Sequence, residues 1–201
     1  QGNSTSGLGF EKNYIKKCVY DVLINGTPMS EVIMKSEYEN LWVLPATIQL
    51  AGAELELVSV MSREGRLKRA LDRVKHEYDY VLIDCPPSLG LLTLNALTAA
   101  SSVLVPIQCE FYALEGVTQL MNTIQLVQRN PHPPLKLQGA LMTMFDARTN
   151  LSSDVVGEVK KYFNAKMYNT IIPRNIRLSE APSHGQPVIV YDAKSKGAQV
   201  C

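Results

Sequence analysis

The chain has 201 residues, of which 46% are hydrophobic and 19% charged, and its formal net charge is +1. These proportions are ordinary for a soluble globular protein, and the length suits one domain with a sizeable core. No apolar run is long enough to span a bilayer, and no segment resembles a secretion signal. The four cysteines are scattered without close pairing, which fits a reducing cytoplasm better than a disulfide framework.

Positive charge is concentrated in the last third of the chain. Residues 136–201 contain nine Lys and Arg residues and five Asp and Glu residues, so this stretch is net +4 and the rest is net −3. Such a bias is usually only a solvated face, and it gives weak support for a polyanionic partner.

The first predicted elements are a loop, a strand and two helices. Residues 1–9 are rich in Gly, Ser and Thr and predict a loop. Residues 41–45 predict a short buried strand ended by a proline, and residues 48–58 predict a helix. Ser62 is a plausible N-cap for the next helix, in which residues 67–74 carry an apolar stripe at helical spacing.

The most informative stretch begins at residue 80. Three apolar residues, Val81 to Ile83, run into Asp84, and two prolines follow almost at once. This pattern predicts a strand over residues 80–84 that is buried on both faces, as in a parallel sheet. An acid at the carboxyl end of such a strand lies where open α/β sheets bind ligands, and in nucleoside triphosphatases it holds magnesium on the phosphates. The alternative is a strand that ends in an exposed Asp.

Helices and strands alternate over the remaining residues. Helices are predicted over 91–100, 114–127 and 153–163, and strands over 102–107, 137–145, 167–172 and 188–191, with a break at 130–134. The alternation indicates an α/β fold, with a doubly wound, mostly parallel sheet and helices on both faces. The carboxyl ends of its strands should then share one edge, lined by Asp84, Glu110, Asp146 and Pro173.

Three long segments carry a resemblance to a known family. They are DCPPSLG at 84–90, CEFYALEG at 109–116 and IPRNIRLSEAPSHG at 172–185. Together they resemble the chromosome-partitioning ATPases of the ParA/Soj type, in the MinD/ParA superfamily of P-loop NTPases. Residues 1–9 are similar to the segment that follows the switch I aspartate in that family. The resemblance covers essentially the whole chain in order.

One part of the family pattern does not occur in this sequence. The deviant phosphate loop with its two lysines is expected ahead of Gln1, and no G-x-x-x-x-G-K-[ST] motif occurs in the chain. The family's C-terminal helix is expected after Cys201. The resemblance therefore implies a single ParA-type ATPase domain over residues 1–201 that is incomplete at both ends. We expect this chain by itself to be inactive as an ATPase.

The resemblance implies a nucleotide site with magnesium. Asp84 matches the Walker B acid, which would hold Mg²⁺ through water, while Pro86, Pro87 and Gly90 match a switch II loop that senses the γ-phosphate of ATP. Five further residues match nucleotide-binding positions: Glu110, Glu115, Pro173, Arg174 and Asn175. The alternatives are acids favoured by a helix start for the first two and a polar loop for the others.

The resemblance also implies a DNA surface. Arg148 and Arg177 fall where the family uses arginine for sequence-independent contacts, and the planar guanidinium suits phosphate. Lys160, Lys161 and Lys166 could widen the patch, although a solvated basic face is an equal alternative for each lysine. Cys85 and Cys109 are interpreted as small buried apolar residues, because their spacing matches no metal or cluster site.

The leading interpretation is a partitioning ATPase of the cytoplasm, associated with the nucleoid. The resemblance implies a homodimer joined by ATP, nonspecific binding to double-stranded DNA, and release by a ParB-type centromere-binding protein that stimulates hydrolysis, with no membrane partner. Two alternatives stay open: a MinD-like ATPase that cycles on a membrane through an amphipathic helix, and a non-catalytic module that binds DNA or a protein partner.

Overall fold

The computed structural model describes residues 2–86, 88–129 and 135–201, so the predicted break at 130–134 lies outside the described residues. The chain divides into two compact units. The first contains Gln1–Ala100 and Pro182–Gln186, and the second contains Ser101–Ala181 and Pro187–Cys201. The single ATPase domain over 1–201 stays a prediction.

The first unit is built from short helices and one small antiparallel strand pair. Its helices are α1 (Asn3–Gly7), α2 (Leu50–Glu56), α3 (Arg66–Leu71) and α4 (Leu91–Ala99), and its strands are β1 (Met34–Lys35) and β2 (Trp42–Val43). A cluster of buried apolar residues forms the core beneath α3 and α4, namely Val22, Leu23, Met29, Val32, Leu67, Val74 and Ala96. The helices predicted over 48–58 and 91–100 are confirmed, and the predicted strand at 41–45 shortens to two residues.

The buried strand predicted over 80–84 is wrong. These residues are irregular, and Tyr80 and Leu82 are 88% and 94% exposed. Ile83 is half-buried and packs against the core of the first unit. No strand among the described residues pairs with this segment. A strand is held by the hydrogen bonds of a neighbouring strand, so apolar sequence alone does not produce one.

Two smaller predictions in this unit are also wrong. The predicted loop at 1–9 contains the one-turn helix α1. Ser62 has a left-handed backbone (φ 51°), and its side chain makes no capping hydrogen bond. A single 3₁₀ turn at Arg63–Gly65 follows it, so α3 begins only after Gly65. An N-cap residue needs an extended backbone to direct its side chain at the first turn, and Ser62 does not have one.

The second unit is a parallel α/β layer. Its sheet has the order β3 (Ser102–Gln108), β4 (Lys136–Phe145) and β5 (Met167–Pro173), with both pairings parallel. The helices are α5 (Ala113–Gln128), α6 (Asn150–Phe163), α7 (Ile176–Glu180), α8 (Val188–Tyr191) and α9 (Lys196–Val200). The strands bury alternate residues, such as Val105 and Ile107, while α6 buries Val155, Val159 and Phe163 at helical spacing. The predicted α/β class is therefore confirmed, with a parallel three-stranded sheet flanked by helices.

The last predicted strand, at 188–191, is instead the short helix α8. The Pro187 carbonyl accepts hydrogen bonds from the N–H groups of Val190 and Tyr191, both at 2.9 Å, which starts a helical turn. Proline suits this position because its fixed φ is compatible with a helix start. Ile189 and Val190 remain exposed, so burial in a sheet does not oppose the turn.

Candidate functional site

Asp84 lies in the first unit, and its side chain is exposed. The hydroxyl of Ser4, in α1, donates a hydrogen bond to the Asp84 carboxylate. The structure therefore joins the segment that resembles the stretch after switch I to the predicted Walker B acid. Ser4 could not be identified from the sequence, because it lies 80 positions from Asp84 and no local spacing encodes the contact.

Gly90 is the last residue of the predicted switch II loop and directly precedes α4. The Glu54 carboxylate, from α2, accepts a hydrogen bond from the Leu92 N–H at 3.2 Å. A Cβ atom on Gly90 would overlap that carboxylate. The Gly90 backbone is extended (φ −84°), so close packing rather than an unusual dihedral angle favours glycine here. Pro86 is exposed, and Pro87 lies outside the described residues.

Glu110, Pro173 and Arg174 were predicted as nucleotide-binding residues, and they lie at the carboxyl edge of the second unit's sheet. Phe145, at the end of β4, lies opposite Pro173 at the end of β5. The Arg174 N–H donates to the Phe145 carbonyl at 2.9 Å, and the Arg174 guanidinium lies 3.6 Å from a carboxylate oxygen of Glu110. The predicted common edge thus contains Glu110, Asp146 and Pro173. Asp84 belongs to the other unit, and its place on that edge stays a prediction.

Two nucleotide-binding candidates also have structural roles. The side-chain oxygen of Asn175 accepts from the Arg177 N–H at 2.9 Å and caps α7. Glu115 is exposed in the first turn of α5, where the helix dipole favours a carboxylate. Both observations match the structural alternatives raised by the sequence.

The two predicted DNA-contacting arginines are held by carboxylates of the second unit. Asp146 accepts from Arg148 Nε at 2.9 Å and from Arg148 Nη2 at 2.7 Å. Arg177 Nη1 donates to Glu180 at 2.8 Å, and Arg177 Nε lies 3.3 Å from Asp192. These acid partners are not among the residues predicted from the sequence. For Arg148 a signal was available, since an Asp two residues earlier can form an Asx turn that folds back on the chain.

Of the two cysteines that were predicted to be buried, one is buried and the other is exposed. Cys109 is buried as predicted, whereas the prediction of a buried Cys85 is wrong, since its surface is exposed. Cys85 follows the irregular segment 80–84, which is not covered as a sheet strand would be.

Magnesium needs few protein ligands, and the Asp84 carboxylate is a candidate for one of them. In the ranges 2–86, 88–129 and 135–201, no group of three or more His, Cys, Asp or Glu side chains could hold a metal ion. Magnesium characteristically uses one or two carboxylates together with water and substrate phosphates. Asp84 suits that pattern, because an ionised carboxylate that accepts one bond from Ser4 keeps further lone pairs for a metal-bound water.

None of the helices in the described part of the chain combines the length and the apolar character needed to cross a membrane.

The sequence of the chain is similar to that of several known proteins. A family model described as an AAA domain matches residues 1–137. The sporulation initiation inhibitor protein Soj of Bacillus subtilis is 62% identical, covering 100% of this chain and 79% of Soj. The chromosome partitioning protein ParA of Myxococcus xanthus is 54% identical, covering 99% of this chain and 70% of that protein.

A solved structure supports the same class. The structure named cobyrinic acid a,c-diamide synthase from Mycobacterium smegmatis has a TM-score of 0.83 and 41% identity, covering 100% of this chain and 74% of that one. Further structures of that protein hold an ATP analogue or ADP with magnesium. Fold and matches together define an α/β protein of the P-loop NTPase class. Within that class, the chain belongs to the Soj/ParA family of chromosome-partitioning ATPases.

Proposed function

We propose that this chain provides the switch and DNA-binding surfaces of an ATP-dependent partitioning protein. ATP joins two subunits, the dimer binds double-stranded DNA without sequence preference, and a ParB-type centromere-binding protein stimulates hydrolysis and release. The protein acts in the cytoplasm, on the nucleoid. The observation that carries the proposal is the Arg148 side chain, 86% exposed beside the carboxyl edge of the sheet in a chain of this family.

The family resemblance is the source of the nucleotide roles, and the positions of the candidate residues support them. Glu110 accepts a hydrogen bond from a ribose hydroxyl, as does Glu115. Pro173 forms an apolar wall for the adenine, and Asn175 and Arg174 supply polar contacts beside it. The Asn175 amide nitrogen is suited to this role, because the side-chain oxygen is the atom used in capping α7.

Hydrolysis is phosphoryl transfer to water, which depends on positioning and electrostatics. Magnesium, when bound, neutralises charge that develops on the phosphates. Asp84 would hold magnesium through water, and Ser4 orients the Asp84 carboxylate through the observed hydrogen bond. Pro86, Pro87 and Gly90 form the loop that responds to the γ-phosphate, while Glu54 secures the helix that follows. Hydrolysis also needs a phosphate loop, and no G-x-x-x-x-G-K-[ST] motif occurs in this sequence.

The test uses Arg148→Glu and Arg177→Glu in a protein that carries this chain behind a family phosphate loop. Both variants should lose DNA binding and still dimerise with ATP. Wild-type binding should vary little with DNA sequence and fall steeply with salt, because phosphate contacts dominate it. Binding to random duplexes is measured over a salt titration, beside sedimentation with ATP. Lys35→Glu makes the same charge change on an exposed residue of the first unit and serves as the control.

The outcomes separate the candidate functions. DNA binding by the arginine variants at wild-type strength would refute the assignment of the two arginines, and loss of ATP-dependent dimers would show that they serve folding or assembly instead. Binding of the wild-type protein to anionic vesicles, without DNA binding, would support the MinD-like alternative. DNA binding that is indifferent to ATP would support the non-catalytic module.

A further inference from the structure

Asp146 and Arg148 form a closed bidentate pair at the carboxyl edge of the sheet. In addition to the two guanidinium bonds, Asp146 Oδ1 accepts from the backbone N–H of Arg148 at 3.0 Å. The Asp146 side chain is 20% exposed and Arg148 is 86% exposed, so the acid sits beneath a guanidinium that faces solvent. Hydrogen bonds in which a guanidinium donates two N–H groups to one carboxylate are stronger than hydrogen bonds between neutral groups. The Nε–Nη2 edge of Arg148 is therefore already occupied by an anionic group.

The Asp146 carboxylate is ionised at neutral pH. The hydrogen bonds from Arg148 hold the pKa of Asp146 well below its usual range, and the nearby charge of Arg174 acts in the same direction. The carboxylate thus stays ionised wherever DNA would be bound.

Arg177 is also paired with carboxylates, in this case with two of them. Its guanidinium contacts Glu180, one turn further along α7, and Asp192, after α8. Both arginines assigned to DNA thus have carboxylate partners in the second unit. A phosphate must either displace these carboxylates or bind the remaining N–H donors with a negative charge close by.

We propose that Asp146 limits the affinity of this protein for DNA by competing with backbone phosphates for Arg148. The inference rests on the proposed DNA-binding function. Two like charges a few ångströms apart in water repel by an energy that corresponds to about a fivefold factor in affinity. A neutralised arginine also displaces fewer counterions from DNA, which reduces the salt-dependent part of binding. An acid in this position keeps a nonspecific DNA contact weak and readily reversible.

Asp146→Asn tests the inference in the protein that carries this chain behind a family phosphate loop. The amide oxygen of Asn can still accept from the Arg148 N–H, so the local turn is kept while the charge is removed. With ATP present, we expect about fivefold tighter binding to a random duplex and a steeper dependence of log affinity on log salt. Asp154→Asn is the matched control, because Asp154 is an exposed acid of α6. It should change affinity less than twofold.

Combined variants show whether the gain acts through Arg148. Asp146→Asn should give no gain when Arg148→Gln is already present. If wild-type protein binds DNA but Asp146→Asn binds no tighter than Asp154→Asn, the competition is refuted and the DNA-binding function stands. Weaker binding by Asp146→Asn would also refute it, since Asp146 would then position Arg148 for phosphate. If wild-type protein binds no DNA at any salt concentration, the proposed function itself fails. Circular dichroism checks folding, and Asp146→Ser, whose hydroxyl can accept the same N–H, replaces the Asn variant if that variant unfolds.

Discussion

The contact between Glu54 and the start of α4 predicts that substitutions at residues 54 and 90 have non-additive effects on the free energy of unfolding. Glu54→Ala removes a carboxylate that caps the Leu92 N–H, and Gly90→Ala should have nearly the same effect, because the new Cβ would displace that carboxylate. The bond is long for a charge-assisted one, at 3.2 Å, which places its contribution near 1 kcal/mol. The helix dipole adds about 0.5 kcal/mol. Each single variant should therefore destabilise the first unit by about 1.5 kcal/mol.

The double variant should cost little more than either single one, since the interaction can be lost only once. Unfolding is followed by denaturant titration with fluorescence of Trp42, the only tryptophan of the chain, which lies in the first unit. The chain is placed behind a family phosphate loop without tryptophan, so that Trp42 stays the sole reporter. Glu54→Gln is the matched control and should lose only about 0.5 kcal/mol, because its amide oxygen can still accept the bond. Additive destabilisation by Gly90→Ala and Glu54→Ala would refute the reasoning.

Four further outcomes are expected. The 201-residue chain alone should release no phosphate from ATP above background, and steady release that Asp84→Ala abolishes would contradict this. The same chain should be marginally stable, because residues 80–84 expose apolar side chains and have no strand partner among the described residues; a sharp melt of a monomer at an ordinary mesophile temperature would count against it. Hydrogen bonds from Lys75 and Lys68 lower the pKa of Asp72, so its stabilisation is present above about pH 4 and lost as pH falls through the lowered pKa; Asp72→Asn should destabilise at neutral pH and have little effect in strong acid, as pH-dependent melts would show. Gly197→Ala should lower the melting temperature of the second unit, because its Cβ would lie 2.7 Å from a side-chain carbon of Leu178.

The sequence predicted the second unit far better than the first. Long periodic segments such as α5 and α6 carry enough apolar positions to define a helical face, and the strands β3, β4 and β5 each have a neighbour to complete their hydrogen bonds. The strand predictions at 80–84 and 188–191 are wrong for the same reason. A run of three or four apolar residues is compatible with strand, helix or irregular structure, and the segment that it pairs with decides the outcome. Composition and periodicity do not show whether such a partner lies beside the segment in the folded chain.

The candidate site shows the same division between residue type and residue partner. The pattern of strand ends and family motifs pointed to Glu110, Arg148, Pro173 and Arg174, and the structure places all four at or beside one sheet edge. Neither pattern indicated that each arginine would meet a carboxylate. An exposed arginine is a strong phosphate ligand only while its donors are available, so its affinity depends on the acid beside it as much as on its own charge. If Arg148 contacts DNA as we propose, Asp146 makes the strength of that contact adjustable, and the balance between carboxylate and phosphate at Arg148 then sets how readily the protein leaves DNA.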